Sequence, residues 1–209
     1  MKVRIIGDVH CHIPMYVQIA TEVENSIQIG DMGIGLISEE TKKIAELPVL
    51  PGHKFFRGNH DNPALCKIHP NYLGDFGAYG DKIFFMAGAD SIDKAKRIMG
   101  VSWWPDEQLN YRTGMDALEL YENMMPEVVL THDAPYVAAN ALLNRFIIPG
   151  VSELKEVFTN STQEILQQMW NIHQPKLWIF GHYHVNWEKK IGHTRFVCLH
   201  ELAYKDITI

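Results

Sequence analysis

Short apolar runs alternate with amphipathic stretches along the first third of the chain. Val3–Ile6 is an apolar run with two β-branched residue types, followed at once by Gly7-Asp8. Ser26–Ile29 is a second, followed by Gly30-Asp31, and Lys54–Arg57 is a weaker third, followed by Gly58-Asn59-His60-Asp61. Each is predicted as a strand. Between them lie helix-like segments at Met15–Glu24 and Glu39–Leu47, the second opened by Ser38 with two acids in its first turn. Strands separated by helices predict right-handed crossovers and a largely parallel, buried core sheet.

Farther along, Ile83–Ala87 and Val128–Leu130 read as strands, the latter ending in Thr131-His132-Asp133. Asp116–Met124 reads as a helix, and Ser161-Thr162-Gln163-Glu164 has capping-box spacing for another that runs to about Ile172. Leu177–Phe180 is an apolar strand ending in Gly181-His182-Tyr183-His184, and Thr194–Leu199 and Asp206–Ile209 read as closing strands. Five times, then, a buried strand ends in a cluster of Asp, Asn and His.

Composition narrows the class. With 209 residues, 46% hydrophobic and 21% charged, residues 1–209 are expected to form one soluble domain with a substantial core. The longest apolar runs are too short to span a bilayer, and Asp8 comes too early for a secretory leader, so no membrane role is expected. Cys11, Cys66 and Cys198 are scattered, with no CxxC pair, which points to a cytoplasmic, reducing setting. The formal charge of −6 argues against stable duplex DNA binding, which needs a basic surface.

Ligands of open α/β sheets bind beyond the carboxyl ends of the strands. The five clusters converging there would supply Asp8, His10, Asp31, Asn59, His132, His182 and His184: two carboxylates, one amide and four imidazoles. Nitrogen and oxygen donors without thiolate suit Mn²⁺, Fe²⁺, Ni²⁺ or Zn²⁺. Seven donors exceed the needs of one tetrahedral ion. Two ions sharing a carboxylate, roughly 3.5–4 Å apart, account for the number better.

The blocks Asp8-Val9-His10, Gly30-Asp31, Gly58-Asn59-His60-Asp61, Thr131-His132 and Gly181-His182-Tyr183-His184 resemble the calcineurin-like metallophosphoesterase superfamily, in the family's order. The resemblance implies an α/β fold, a four-layer α/β/β/α sandwich. It implies that Asp8, His10 and His184 hold one metal and that Asn59, His132 and His182 hold the other, with Asp31 bridging. It also implies two divalent ions, Mn²⁺ foremost, and His60 as proton donor to the leaving group. Such ions lower the pKa of a water to give hydroxide at neutral pH and clamp phosphoryl oxygens. Asp61 is placed to orient the His60 imidazole, and Arg57 to contact a phosphate oxygen.

After Asp31 comes Met32-Gly33-Ile34-Gly35 rather than the Asp-Arg-Gly of the Ser/Thr protein phosphatases, and the third block ends in Asp61 rather than glutamate. A small phosphodiesterase acting on a nucleotide or a single-stranded nucleic acid is therefore favoured. A phosphomonoesterase and a non-catalytic binding scaffold on the same fold are the alternatives. The aperiodic stretch Asp90–Asn110 carries Lys94, Lys96, Arg97, Trp103 and Trp104 and reads as an active-site cover whose aromatics stack a base; anchoring of the loop by the tryptophans is the rival reading. Phe146–Val151 is a second candidate rim. His12 could line the pocket, Cys11 is a tolerated small residue open to oxidation, and His53, His69, His173, His193 and His200 read as structural.

Overall fold

The computed structural model describes residues 2–37, 46–144 and 160–208. Among these residues, ten strands form two sheets. In the first, β1 (Lys2–Ile6), β2 (Ser26–Ile29) and β3 (His53–Phe56) run parallel, and β10 (Tyr204–Thr208) pairs antiparallel with the outer side of β1. In the second, β5 (Ile83–Met86), β6 (Val128–Thr131), β7 (Leu177–Phe180) and β9 (Thr194–Cys198) are parallel. Its edges are the antiparallel strands β4 (Phe76–Tyr79) and β8 (Trp187–Ile191).

Side-chain alternation builds the layers. Across the second sheet, Phe85, Leu130, Ile179 and Val197 lie side by side, and they pack with Ile5, Ile27, Ile29 and Phe56 of the first sheet. The adjacent row, Phe84, Val129, Trp178 and Phe196, faces the other way onto α3 (Tyr111–Met124), α4 (Tyr136–Leu143) and α5 (Ser161–Ile172). Ile6 and Phe55 on the outer face of the first sheet pack against α1 (Ile13–Thr21) and α2 (Pro63–Lys67). A one-residue slip in any central strand would exchange these two faces, so the register is set by burial on both sides. The result is the α/β/β/α sandwich.

Several boundaries differ from the sequence reading. Helix α3 starts five residues before Asp116, capped by the Asn110 side chain, and Gly114 lies inside it. A Cβ at Gly114 would overlap the Ile165 side chain, so the glycine permits close approach of α5 rather than breaking α3. The cap of α5 is Asn160, which accepts from Gln163 N; the Ser161 hydroxyl donates instead to Gln108 Oε1. Strand β9 is not a closing strand, since it lies between β7 and β8. The helix expected over Glu39–Leu47 falls mostly outside the described residues, and so does the rim Phe146–Val151. Among the described residues, no helix is long and apolar enough to cross a membrane.

Candidate metal centre

The clusters after β1, β2, β3, β6 and β7 meet at one end of the sandwich. Asp8, Asp31, Asn59 and His132 are buried there, while His10 and His184 are partly open to solvent. Two donor groups result. In the first, Nε2 of His10 and Nε2 of His184 lie 2.9 Å apart, with Asp8 Oδ2 3.2 Å from His184 and 3.8 Å from His10. Asp31 Oδ2 is also 3.8 Å from His10. In the second, Nε2 of His132 is 3.2 Å from Asp31 Oδ1 and 3.1 Å from Asn59 Oδ1, which is itself 3.1 Å from His182 Nδ1. Asp31 belongs to both groups, one oxygen turned toward each.

Local backbone makes this convergence possible. His10, Asp31, His182 and His184 all have positive φ, at 44°, 58°, 67° and 50°. That region is costly for most side chains and tolerated best by Asp, Asn and His. Glycines clear the space: a Cβ at Gly30 would overlap the His132 ring, one at Gly58 the Asp31 carboxylate and one at Gly181 the Asp8 carboxylate. The Gly-polar pairs in the sequence are therefore steric necessities at this site. Asp31 O also accepts from Val9 N and His10 N at 2.8 and 2.9 Å, tying the first two loops together.

The donor set fits a cation. His132 Nδ1 faces the carbonyl of Ile29 at 2.9 Å, which can only accept, so Nδ1 carries the proton. The remaining Nε2 lone pair then points at two oxygens, an arrangement that needs a positive centre between them. Burial opposes a charged ring, but Asp31 outweighs it and raises His132 to about 10, so a proton fills that need in the protein alone. Donor separations of 2.9–3.2 Å resemble the edges of a coordination shell with bonds of about 2.0–2.2 Å. The backbone carbonyl on His132 is the kind of outer partner that sets a ligand's tautomer.

Residues given other roles by the sequence need correction. The Asp61 carboxylate does not orient His60. Its oxygens accept from the backbone N–H groups of Met32, Gly33, Ile34 and Gly58 at 2.7–3.2 Å, pinning the β2 loop to the β3 loop. Arg57 is buried and committed to other partners: Nε donates to Asp75 Oδ1 at 2.7 Å and Nη1 to Glu107 O at 2.6 Å. Trp104 is buried at 7% exposure and is not free to stack a base; Trp103 is half-buried. His12 pairs with Glu201 at 3.3 Å. Burial, with Asp61 nearby, pushes the Cys11 thiol up to about 11, which leaves it protonated and sluggish toward oxidants.

Arg97, by contrast, does reach the site. Its Nη1 and Nη2 lie 3.1 and 2.6 Å from the two ring nitrogens of His60, while Nε donates to Asp93 Oδ1 at 2.7 Å. Burial lowers His60 to about 4; Asp31 pulls the other way, and the Arg97 charge adds to the lowering. The imidazole is thus neutral here rather than near its ordinary range. His60 N also donates to Asp31 Oδ1 at 2.8 Å, which ties the β3 loop that carries the ring to the shared carboxylate. The five histidines read as structural lie outside both donor groups, His53 on Ser26 Oγ and His173 on Pro126 O among them.

Three residues assigned no role from the sequence support this centre. Asp133, buried next to His132, accepts from Tyr183 Oη at 2.7 Å and from Gln163 Nε2 at 3.2 Å, joining the β6 loop to the segment between His182 and His184. Ser91 and Glu107, in the stretch after β5, form a chain to Asn59.

Comparison with known proteins agrees with the geometry. The family model for calcineurin-like phosphoesterases matches residues 1–186. Among solved structures, TT1561 of Thermus thermophilus superposes with a TM-score of 0.52 at 15% identity, over 96% of this chain and 89% of that one. Phosphopantetheinyl hydrolase from Mycobacterium tuberculosis aligns at 11% identity and a TM-score of 0.45, over 96% and 89% of the two chains. An archaeal phosphodiesterase aligns at 13% and 0.39, over the whole of both. No curated protein matches the sequence. The match over most of the chain, together with the sandwich fold and the paired donor groups, places this protein in the calcineurin-like phosphoesterase family, metal-dependent hydrolases acting on phosphoester bonds.

Proposed function

We propose that this protein is a two-metal phosphodiesterase acting on a nucleotide or a short single-stranded nucleic acid. Asp8, His10 and His184 would hold one divalent ion, Asn59, His132 and His182 the other, with Asp31 shared. The observation that carries the reading is Asp31, which turns one oxygen toward His10 and the other toward His132. When bound, the ions supply a nucleophile at neutral pH and charge for the phosphoryl oxygens. Mn²⁺ suits this nitrogen and oxygen set, since the Cys11 thiol is turned to Gly33 O.

The chain's own residues do the rest. Arg97 presents a guanidinium beside His60, where it can grip a phosphoryl oxygen in place of the ring. His60 stands at the edge of the first donor group, its ring 4.9 Å from that of His10. There it would protonate the departing oxygen. The N–H groups of Met32, Gly33 and Ile34 are taken by Asp61, so that loop offers neither arginine nor free amides to a phosphate dianion. A diester, with one charge, makes the smaller demand.

The test is a panel of phosphomonoesters, cyclic nucleotides, linear dinucleotides and single-stranded oligonucleotides on Mn²⁺-loaded protein. Diester hydrolysis at least tenfold above monoester hydrolysis is expected. A monoester preference would reassign the substrate class, and no turnover of any ester would favour the scaffold reading.

A further inference from the structure

The Asn59 side chain has two ends that differ only in hydrogen-bond polarity, and a metal site tolerates one of them. Oδ1 faces His132 Nε2 and His182 Nδ1 at 3.1 Å each; Nδ2 donates to Ser91 Oγ at 2.9 Å. A hydroxyl has one proton to give. Glu107 Oε2 lies 2.6 Å from Ser91 Oγ, and Glu107 Oε1 accepts from Ser91 N at 2.9 Å. Both donors come from one residue and end on the two oxygens of a buried carboxylate, itself 2% exposed. The carboxylate accepts only, so the Ser91 proton goes to it. That leaves Oγ only lone pairs to offer Asn59, and only the NH₂ end can meet them.

We propose that Ser91 and Glu107 are positioning residues that force the carbonyl end of Asn59 toward the second ion. The inference rests on the two-metal reading above. It assigns the pair to one ion only: Ser91 bonds to Asn59, and among the described residues no hydrogen bond joins Ser91 or Glu107 to Asp8, His10 or His184. Glu107 is itself held from behind. Arg57, fixed on Asp75, donates Nη1 to the Glu107 carbonyl, and Glu107 N donates to Trp104 O at 3.0 Å. The stretch from residue 90 to 110 thus supports the centre through a buried polar chain. With the chain broken, the amide is free to turn its NH₂ toward the cation, where no lone pair is available.

Ion-free wild type, Ser91→Ala and Glu107→Gln would be titrated with Mn²⁺ by calorimetry. One of two Mn²⁺ sites should weaken by about 10- to 100-fold in each variant, the usual effect of losing an outer partner, while the other keeps its affinity. Glu107→Gln is nearly isosteric, yet its amide can donate to Ser91 Oγ and send the hydroxyl proton toward Asn59. A second readout separates polarity from packing. In an Asn59→Asp background the side chain has two equivalent oxygens, so Glu107→Gln should no longer weaken the site. Equal weakening in both backgrounds, or wild-type affinity at both sites in both variants, overturns the proposal. Fewer than two Mn²⁺ in the wild type overturns the two-metal reading, and this inference with it.

Discussion

Asp31→Asn is expected to cost more activity than any other single change, about 10⁴-fold in kcat/KM on a nitrophenyl phosphodiester. The carboxylate is 1% exposed, and its two oxygens face different donor groups. Although burial opposes ionisation, His132, His60 and His10 hold its carboxyl well below the usual range, so it is an anion in the folded protein. Asparagine keeps the volume, which matters because Gly58 packs directly on this side chain. It also keeps one oxygen for the His60 N–H bond. What it loses is the charge and the second oxygen that separate two like-charged ions. If each ion is worth several kcal/mol in the transition state, about 5.4 kcal/mol in all corresponds to the stated factor. Activity and bound Mn²⁺ would be measured together. A variant that holds both ions and turns over within tenfold of the wild type contradicts a shared carboxylate.

For His60→Ala the expected loss depends on the leaving group. A positioned acid contributes roughly 10²–10⁴-fold. Nitrophenolate leaves readily without a proton, so its ester should slow only a few-fold. A ribose alkoxide is far more basic, and a nucleotide ester should slow by about 10²-fold or more. The geometry sets a condition on this role. Arg97 lies 2.6 Å from the ring, and burial keeps His60 neutral at about 4 in the protein alone, with the Arg97 charge adding to the lowering. Donation therefore requires that a bound phosphoryl group draw the guanidinium away and lend its own negative charge. Rates for both esters, with metal content verified, decide the matter. Equal slowing of the two esters with both ions retained would mean that His60 positions substrate and donates no proton.

The donor residues were legible in the sequence because each lies within a few residues of the end of an apolar run, directly after a glycine at Asp8, Asp31, Asn59 and His182. The layered fold was legible for a similar reason: its central strands are short, mostly apolar runs, the clearest being IFFM, VVLT and LWIF. Edge strands carried no such mark. Trp187–Ile191 contains Glu188, Lys189 and Lys190, and Phe76–Tyr79 contains Gly77 and Ala78, as edges open to water allow. Helix α4 (YVAANALL) is apolar nearly all round and opens on Pro135, so it showed neither amphipathic period nor cap.

Long-range polar contacts were the other blind spot. Asp61 was misread because its partners are backbone N–H groups, three of them 27 to 29 residues away, which no side-chain pattern reports. Arg57 stood beside the third block yet turned to Asp75, and Trp104 lay in an aperiodic stretch yet was buried. Ser91 and Glu107 are ordinary loop residues until the fold sets them behind Asn59.

The most direct measurement is the metal content of purified, Mn²⁺-reconstituted protein by elemental analysis, with hydrolysis followed through chelation and add-back. Two ions per chain are expected, with activity lost on chelation and restored by Mn²⁺ in proportion to the second ion bound. One ion per chain at full activity, or activity that survives complete chelation, would contradict the two-metal centre.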